Sequence, residues 1–231
     1  MRWQRRKDAR PAEIVDAAIS VFTEKGYAAT RLDEVAKRAG IAKGTLYLYF
    51  DTKEDIFRAA AHHAFESNLD AVGAADSAPW TSLRERLPEL LLRLIDVANE
   101  NRFPAIFRMV ISESRLFPDL ARIWHDDVAS RILDLITTLV VQAQIRGEVR
   151  DGDPRLFAFS ITGPLLAGML FRETYGAFSS HTPELQALAL QHATTVLDGL
   201  MLPAQAQADA STFKSSGVHP DEPRITGASN I

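Results

Sequence analysis

Apolar residues recur at three- and four-residue spacings along almost the whole chain, and no segment alternates strictly or carries an Asn-Gly hairpin turn. This pattern predicts an all-α protein in which each helix buries one stripe against its neighbours. The spacing marks about nine helices. The first opens at Pro11, places Ile14, Ala18, Val21 and Phe22 on one face, and stops at Gly26. Thr30 with Asp33 has the form of a capping box ahead of a short second helix with the stripe Leu32, Val35, Ala36 and Ala39; Gly40 then turns the chain. A third helix from about Ala42 to Phe50 buries Leu46 and Phe50, and Thr52 with Asp55 caps a fourth that runs toward residue 72. After a loop at 73–80, helices are expected near 81–100, 104–115, 118–146, 154–175 and 182–201. Residues 203–231 are rich in Ala, Gln, Ser, Gly, Pro and Asp, and a disordered tail is expected there.

Charge is unevenly placed. The net charge is −4, yet residues 1–53 hold 11 Lys and Arg against 7 Asp and Glu, and the remaining residues hold 15 against 23. A basic head on an acidic body suits an anionic partner that meets the N-terminal part, as double-stranded DNA would. The absence of cysteine excludes disulfides, thiolate metal sites and cysteine nucleophiles. The basic start is followed by a polar amphipathic stretch instead of an apolar signal core, so a cytoplasmic location is expected. The longest uncharged run, between Arg155 and Arg172, has 16 residues. A bilayer span needs about 20, so a buried helix and no membrane partner are expected.

A helix-turn-helix needs a small residue where two helices cross, a glycine at the turn, and apolar residues that lock the second helix. Ala36, Gly40, Ile41 and Leu46 meet these needs in order. On a wheel centred on buried Leu46, Gly44, Thr45 and Leu48 point outward, Lys43 stands at the helix start, and Tyr47 and Tyr49 flank the face. Lys43 can donate to guanine or phosphate, Thr45 offers a hydroxyl and a methyl, Gly44 permits close approach, and Leu48 or Tyr47 can touch a thymine methyl. Tyr47 serves equally well as core packing. Tyr49 and Lys53, with the helix-start amides near Thr30 and Thr52, suit phosphate contacts. The basic arm at residues 1–10 can add phosphate or minor-groove contacts, or merely solubilise.

The stretch from Gly40 through Lys43-Gly44-Thr45-Leu46-Tyr47-Leu48-Tyr49-Phe50 to Lys53-Glu54 resembles the signature of the TetR/AcrR family, and Phe22, Lys25-Gly26-Tyr27 and Thr30 match it too. Ala42 departs from it, because the family usually has Ser there; the missing hydroxyl removes a cap worth about 1 kcal/mol. The resemblance implies an N-terminal three-helix helix-turn-helix DNA-binding domain at 11–57 and a C-terminal helical ligand-binding and dimerisation domain at 58–202. It further implies a homodimeric regulator, most simply a repressor, that leaves a palindromic operator when a small apolar or aromatic effector binds. An activator, or a regulator without an effector, is the alternative.

The implied effector pocket lies among helices four to eight. Inward candidates are Phe65, Leu91, Phe103, Phe107, Ile111, Trp124, Val128 and Phe171, with Arg108, His125 or Glu113 as polar anchors. Each of these aromatics is more often plain core. For the dimer, helix eight is apolar nearly all round and helix nine carries two stripes, which points to Leu165, Gly168, Leu190, Ala193 and Leu197 as interface residues. An enzyme is the rival reading, resting on His62, His63 and Glu66 and on His125 beside Asp126 and Asp127. Two ligands make a weak metal site, and no nucleophile elbow or phosphate loop accompanies them, so no catalytic residue, metal or cofactor is expected.

Overall fold

A computed structural model describes residues 2–74, 82–100 and 102–203, with side chains described outside 2–9 and 64–74. The expected tail from 204 onward and the side chain of Phe65 lie outside the described residues. Nine helices are present among them: α1 Arg2–Lys25, α2 Leu32–Arg38, α3 Lys43–Leu46, α4 Lys53–Ala74, α5 Leu83–Glu100, α6 Phe103–Glu113, α7 Pro118–Ile145, α8 Pro154–Tyr175 and α9 Leu185–Leu200. There is no strand among the described residues; a single antiparallel bridge joins Val149 to Met201.

Two helices differ from expectation at their starts. Pro11 lies inside α1, which begins at Arg2 instead of after a basic arm. A proline removes one backbone bond without forbidding a turn before it, and residues 2–10 carry no other helix breaker. Thr30 does not cap α2. Its hydroxyl donates to Gly26 O at 2.7 Å, and Arg31 stands at the N-cap without a side-chain bond. The Thr52–Asp55 cap does form: Asp55 N donates to Thr52 Oγ1 at 3.0 Å and Thr52 N to Asp55 Oδ2 at 3.0 Å.

The head, α1 to the start of α4, closes on Ile14, Ala18, Phe22, Val35, Ala36, Leu46, Ile56 and Phe57, each at most 2% exposed. In the body, α9 packs on α5 and α8, α8 packs on α6 and α7, and α4 joins the two parts by packing on α1 and α7. Pro164 interrupts α8 and leaves the Ser160 carbonyl without its helical donor. His192 of α9 answers it, its Nε2 lying 3.1 Å from Ser160 O and 3.0 Å from Ile161 O. Both partners are acceptors, so Nε2 carries the proton.

The expected interface stripe is largely internal. Leu165, Gly168, Ala193 and Leu197 are buried within one protomer, and a Cβ on Gly168 would collide with the Leu188 side chain. Small residues mark where α8 and α9 cross closely, and a wheel cannot tell that crossing from a surface between copies. Nor is α8 wholly buried, since Leu156 is 65% and Phe159 60% exposed; on α9, Leu190 is 46% exposed.

Leu46 and Leu48, two residues apart, face opposite ways. Leu46→Ala should lower unfolding stability by about 2–5 kcal/mol in urea titration, whereas Leu48→Ala should change it by less than about 0.5 kcal/mol.

Candidate nucleic-acid interface and apolar cavity

Gly40, at φ 67, bends the chain in the left-handed region, and Ile41 N then donates to Ala36 O at 2.9 Å, closing the turn between α2 and α3. The regular part of α3 is shorter than expected. Beyond Leu46 the chain winds on through tighter contacts, Leu48 N to Thr45 O at 3.2 Å and Tyr49 N to Leu46 O at 3.0 Å. Ala42 caps α3 without a side-chain bond, as its missing hydroxyl requires. With Leu46 anchored inside, Lys43, Gly44, Tyr47 and Leu48 are exposed, and nothing lies within 4 Å of where a Gly44 Cβ would stand. Thr45 is half-buried at the edge of this surface, and Tyr49 is half-buried against the core.

Lys43 meets Asp33 across the turn, Nζ to Oδ1 at 2.6 Å. The hydrogen bond holds the Asp33 carboxyl below its usual value and the Lys43 ammonium above its own. Both side chains are exposed, so the pair exchanges readily for other partners. Lys53 is different. Its ammonium donates to Tyr27 O at 2.7 Å and Thr30 O at 3.1 Å and lies 4.3 Å from the Tyr27 ring centre, while burial pulls its titration below the ordinary lysine value. The Lys53 cation, expected to grip a phosphate, here binds the carbonyls of the turn between α1 and α2. Thr30 is likewise turned inward, at 3% exposure, and Thr52 is exposed but engaged with Asp55.

The same turn is held from the body. Glu113, at the end of α6, accepts from Tyr27 N at 2.8 Å and from Ala28 N at 2.6 Å. Tyr27 itself is 1% exposed, stacked on Phe22 and edge-on to Phe57 and Phe117. Burial, then its hydrogen bond to Glu54 Oε1 at 2.8 Å, keeps the phenol protonated well above its ordinary value.

A cavity of about 240 Å³ lies in the body. Its walls are Leu94 and Ala98 of α5, Phe103 and Phe107 of α6, Trp124, Val128, Ala129, Ile132 and Leu133 of α7, and Phe159, Thr162, Gly163, Leu165, Leu166 and Met169 of α8. Phe103, Phe107 and Trp124 form one aromatic wall with ring centres 5.0–5.9 Å apart. Among the described residues of the lining Thr162 is the one with a hydroxyl, which donates to Ala158 O at 2.9 Å. The anchors anticipated from sequence lie elsewhere. Arg108 faces Glu173 at 3.6 Å, His125 is exposed beside Asp126, and Glu113 holds the head. Leu91 is buried core outside the cavity lining, Ile111 is half exposed, and Phe171 packs on Tyr175. Leu165, expected at a dimer surface, is cavity wall.

Within α7, residues His125–Ala129 form a π-helical turn. One side of it lines the cavity through Val128 and Ala129; the other carries Asp127, whose carboxylate lies 3.0 Å from Arg58 and 3.4 Å from His62 of α4. His63 reaches Asp16 at 3.3 Å. Among the described residues no group of three or more His, Asp and Glu side chains could hold a metal ion.

A three-helix head that offers a short helix to the outside, carried on a helical body with an apolar cavity, defines a helix-turn-helix transcriptional regulator. Residues 14–60 match the model for bacterial regulatory proteins of the tetR family, and residues 80–183 match that for the tetracyclin repressor-like C-terminal domain. The chain belongs to the TetR family. It is 36% identical over 95 residues to the HTH-type transcriptional regulator YfiR of Bacillus subtilis, a match spanning 40% of this chain and 46%, about half, of that protein. It is 26% identical over 163 residues to the fatty acid metabolism regulator protein of the same organism, covering 69% of this chain and 82% of that one. A TetR-family transcriptional regulator from Mesorhizobium loti superposes with a TM-score of 0.68 at 27% identity, over 85% of this chain and 99% of that one.

Lys53→Ala should cost about 1–2 kcal/mol of stability, measured in urea, because it strips a charged donor from the turn. The salt dependence of DNA binding should keep the wild-type slope; a slope reduced by about one would mean that Lys53 meets a phosphate after all.

Proposed function

We propose that this regulator binds a palindromic operator as a homodimer, acts as a repressor in the cytoplasm, and is released by a small uncharged apolar or aromatic effector. The observation that carries the reading is the pairing of an outward Lys43-Gly44-Tyr47-Leu48 surface, edged by Thr45, with a cavity that offers no charged group among the described residues. Lys43 and Thr45 are suited to base edges or phosphate, and Tyr47 and Leu48 to a thymine methyl. Tyr49 and Thr52 stand where they can add backbone contacts. The division of labour follows the chain, with the DNA head ending near Phe57 and the sensing body beginning at residue 58.

Dimerisation through α8 and α9 is supported by their exposed face, where Leu156, Phe159 and Leu190 stand uncovered. Two copies of that face would set two α3 surfaces about one duplex turn apart. Helices α7 and α8 are each long and apolar enough to cross a membrane. The packing of both against neighbours across one face, and the acids and bases along α7, favour a body in water.

The cavity favours a sensor over a regulator that has lost its ligand. An apolar cavity of about 150 Å³ admits benzene, so about 240 Å³ suits a larger ring system or a short alkyl chain. A relative named for fatty acid metabolism agrees with an apolar effector.

Selection of duplexes from a random pool by the full-length protein should return a palindrome with half-sites about one helical turn apart. On that operator Lys43→Ala should reduce the salt slope by about one, while Thr45→Ala should alter preference among sequences; enrichment of no symmetric site would refute the dimeric reading. The cavity has its own test. The neutral fluorophore N-phenyl-1-naphthylamine should brighten on binding the wild type and fail to do so with Ala98→Phe, which fills the cavity. Equal brightening in both would place the dye elsewhere.

A further inference from the structure

We propose that Glu113 is the positioning residue through which the cavity wall sets the angle of the DNA-reading head. The inference rests on the effector reading above for its ligand-dependent part and on geometry for the rest.

Helix α6 begins at the cavity and ends at the head. Phe103 and Phe107, in its first half, are wall; Glu113, at its last residue, accepts from two successive amides of the turn that joins α1 to α2. Both carboxylate oxygens are used, and the partners are 86 and 85 residues away in sequence, so the contact belongs to the tertiary fold. A bidentate, charge-assisted grip on two consecutive N–H groups fixes direction as well as distance. The turn is built to accept it. Gly26 sits at φ 82, and a Cβ there would lie 2.5 Å from Glu113 Oε1, so any other residue would displace the carboxylate.

The placement of the acid has a cost that a contact elsewhere must offset. A carboxylate in the last turn of a helix faces the negative end of the backbone dipole, and α6 has no basic residue in that turn. The amides of Tyr27 and Ala28 supply the positive counterpart. On the opposite side of the same turn, Lys53 holds the Tyr27 and Thr30 carbonyls. The turn is thus clamped between an anion on its donors and a cation on its acceptors. The cation belongs to α4, which is continuous with the head, whereas the anion belongs to the helix that walls the cavity. A shift of α6 when the cavity fills therefore pulls on the turn through Glu113, and α2 and α3 follow it as one packed unit.

The test uses the full-length protein and the selected operator. Glu113→Gln keeps the side-chain size but offers one acceptor where two are needed. Hydrogen exchange at the Tyr27 and Ala28 amides should speed up about tenfold, and operator affinity should fall about fivefold or more, with the melting temperature and salt slope near wild type. Glu113→Asp, which keeps the charge one methylene short of the amides, should fall between the two and carries the same test if the Gln variant is unstable. Filling the cavity with Ala98→Phe should change operator affinity in the wild type and change it much less in the Glu113→Gln background. Wild-type operator affinity in Glu113→Gln, or a loss matched by a fall in melting temperature in both the Gln and the Asp variants, would overturn the positioning role; an equal Ala98→Phe effect in both backgrounds would overturn the transmission. If Ala98→Phe leaves wild-type affinity untouched, the effector reading fails, and Glu113 stands or falls on the affinity of the Gln variant.

Discussion

Tyr27 is buried where the head meets the body, and nearly every element that matters touches it. Its ring packs against Phe22 of α1, Phe57 of α4 and Phe117 ahead of α7; its hydroxyl donates to Glu54, its amide to Glu113, and its carbonyl accepts from Lys53. An aromatic pair contributes about 0.5–1.5 kcal/mol beyond the area it buries, and the polar groups are satisfied around it. Removing any one partner leaves the others with a misplaced ring. The position of α3 in the head follows from this one buried side chain, because α2 and α3 hang from the turn that Tyr27 anchors.

The body is arranged around a different constraint, the need to keep an apolar space bounded by helices without collapsing it. Aromatic rings supply stiff walls, since Phe103, Phe107 and Trp124 brace one another. Charged groups are kept outside by pairing among themselves, Arg108 with Glu173 and Asp127 with Arg58. The π turn at His125–Ala129 allows α7 to serve both tasks at one level, with Val128 and Ala129 inward and Asp127 turned to α4. Glu113 ties the cavity-lining α6 to the head, and Asp127 ties the cavity-lining α7 to α4, the helix that leads into the head.

Much of the site was legible before any coordinates. Leu46 as the buried anchor of α3, Lys43, Gly44 and Leu48 on its outside, and Phe103, Phe107, Trp124 and Val128 facing inward follow from three- and four-residue spacing, while a pocket for the last four came only from the family resemblance. What spacing misjudged were polar residues and small ones. Lys53 reads as a phosphate ligand and Glu113 as an effector anchor because a sequence records their charge and not their partners. The one available hint was an acid in the last turn of α6 with no base beside it. Ala193 and Gly168 read as an interface because close helix crossings look alike whether the second helix is in the same chain or another.

The amino-acid sequence by itself determined the helices, the turn glycines at 26 and 40, the inward stripe of each helix and hence the all-α, helix-turn-helix architecture, because these depend on neighbours within about four residues. Tertiary structure decided which apolar face of α8 and which of the two stripes on α9 is core, which face of α7 meets the cavity, and that Glu113 grips Tyr27 and Ala28. Those outcomes depend on groups brought together from different helices, 85 residues apart for Glu113 and Ala28, where packing selects one arrangement among several that local spacing allows equally.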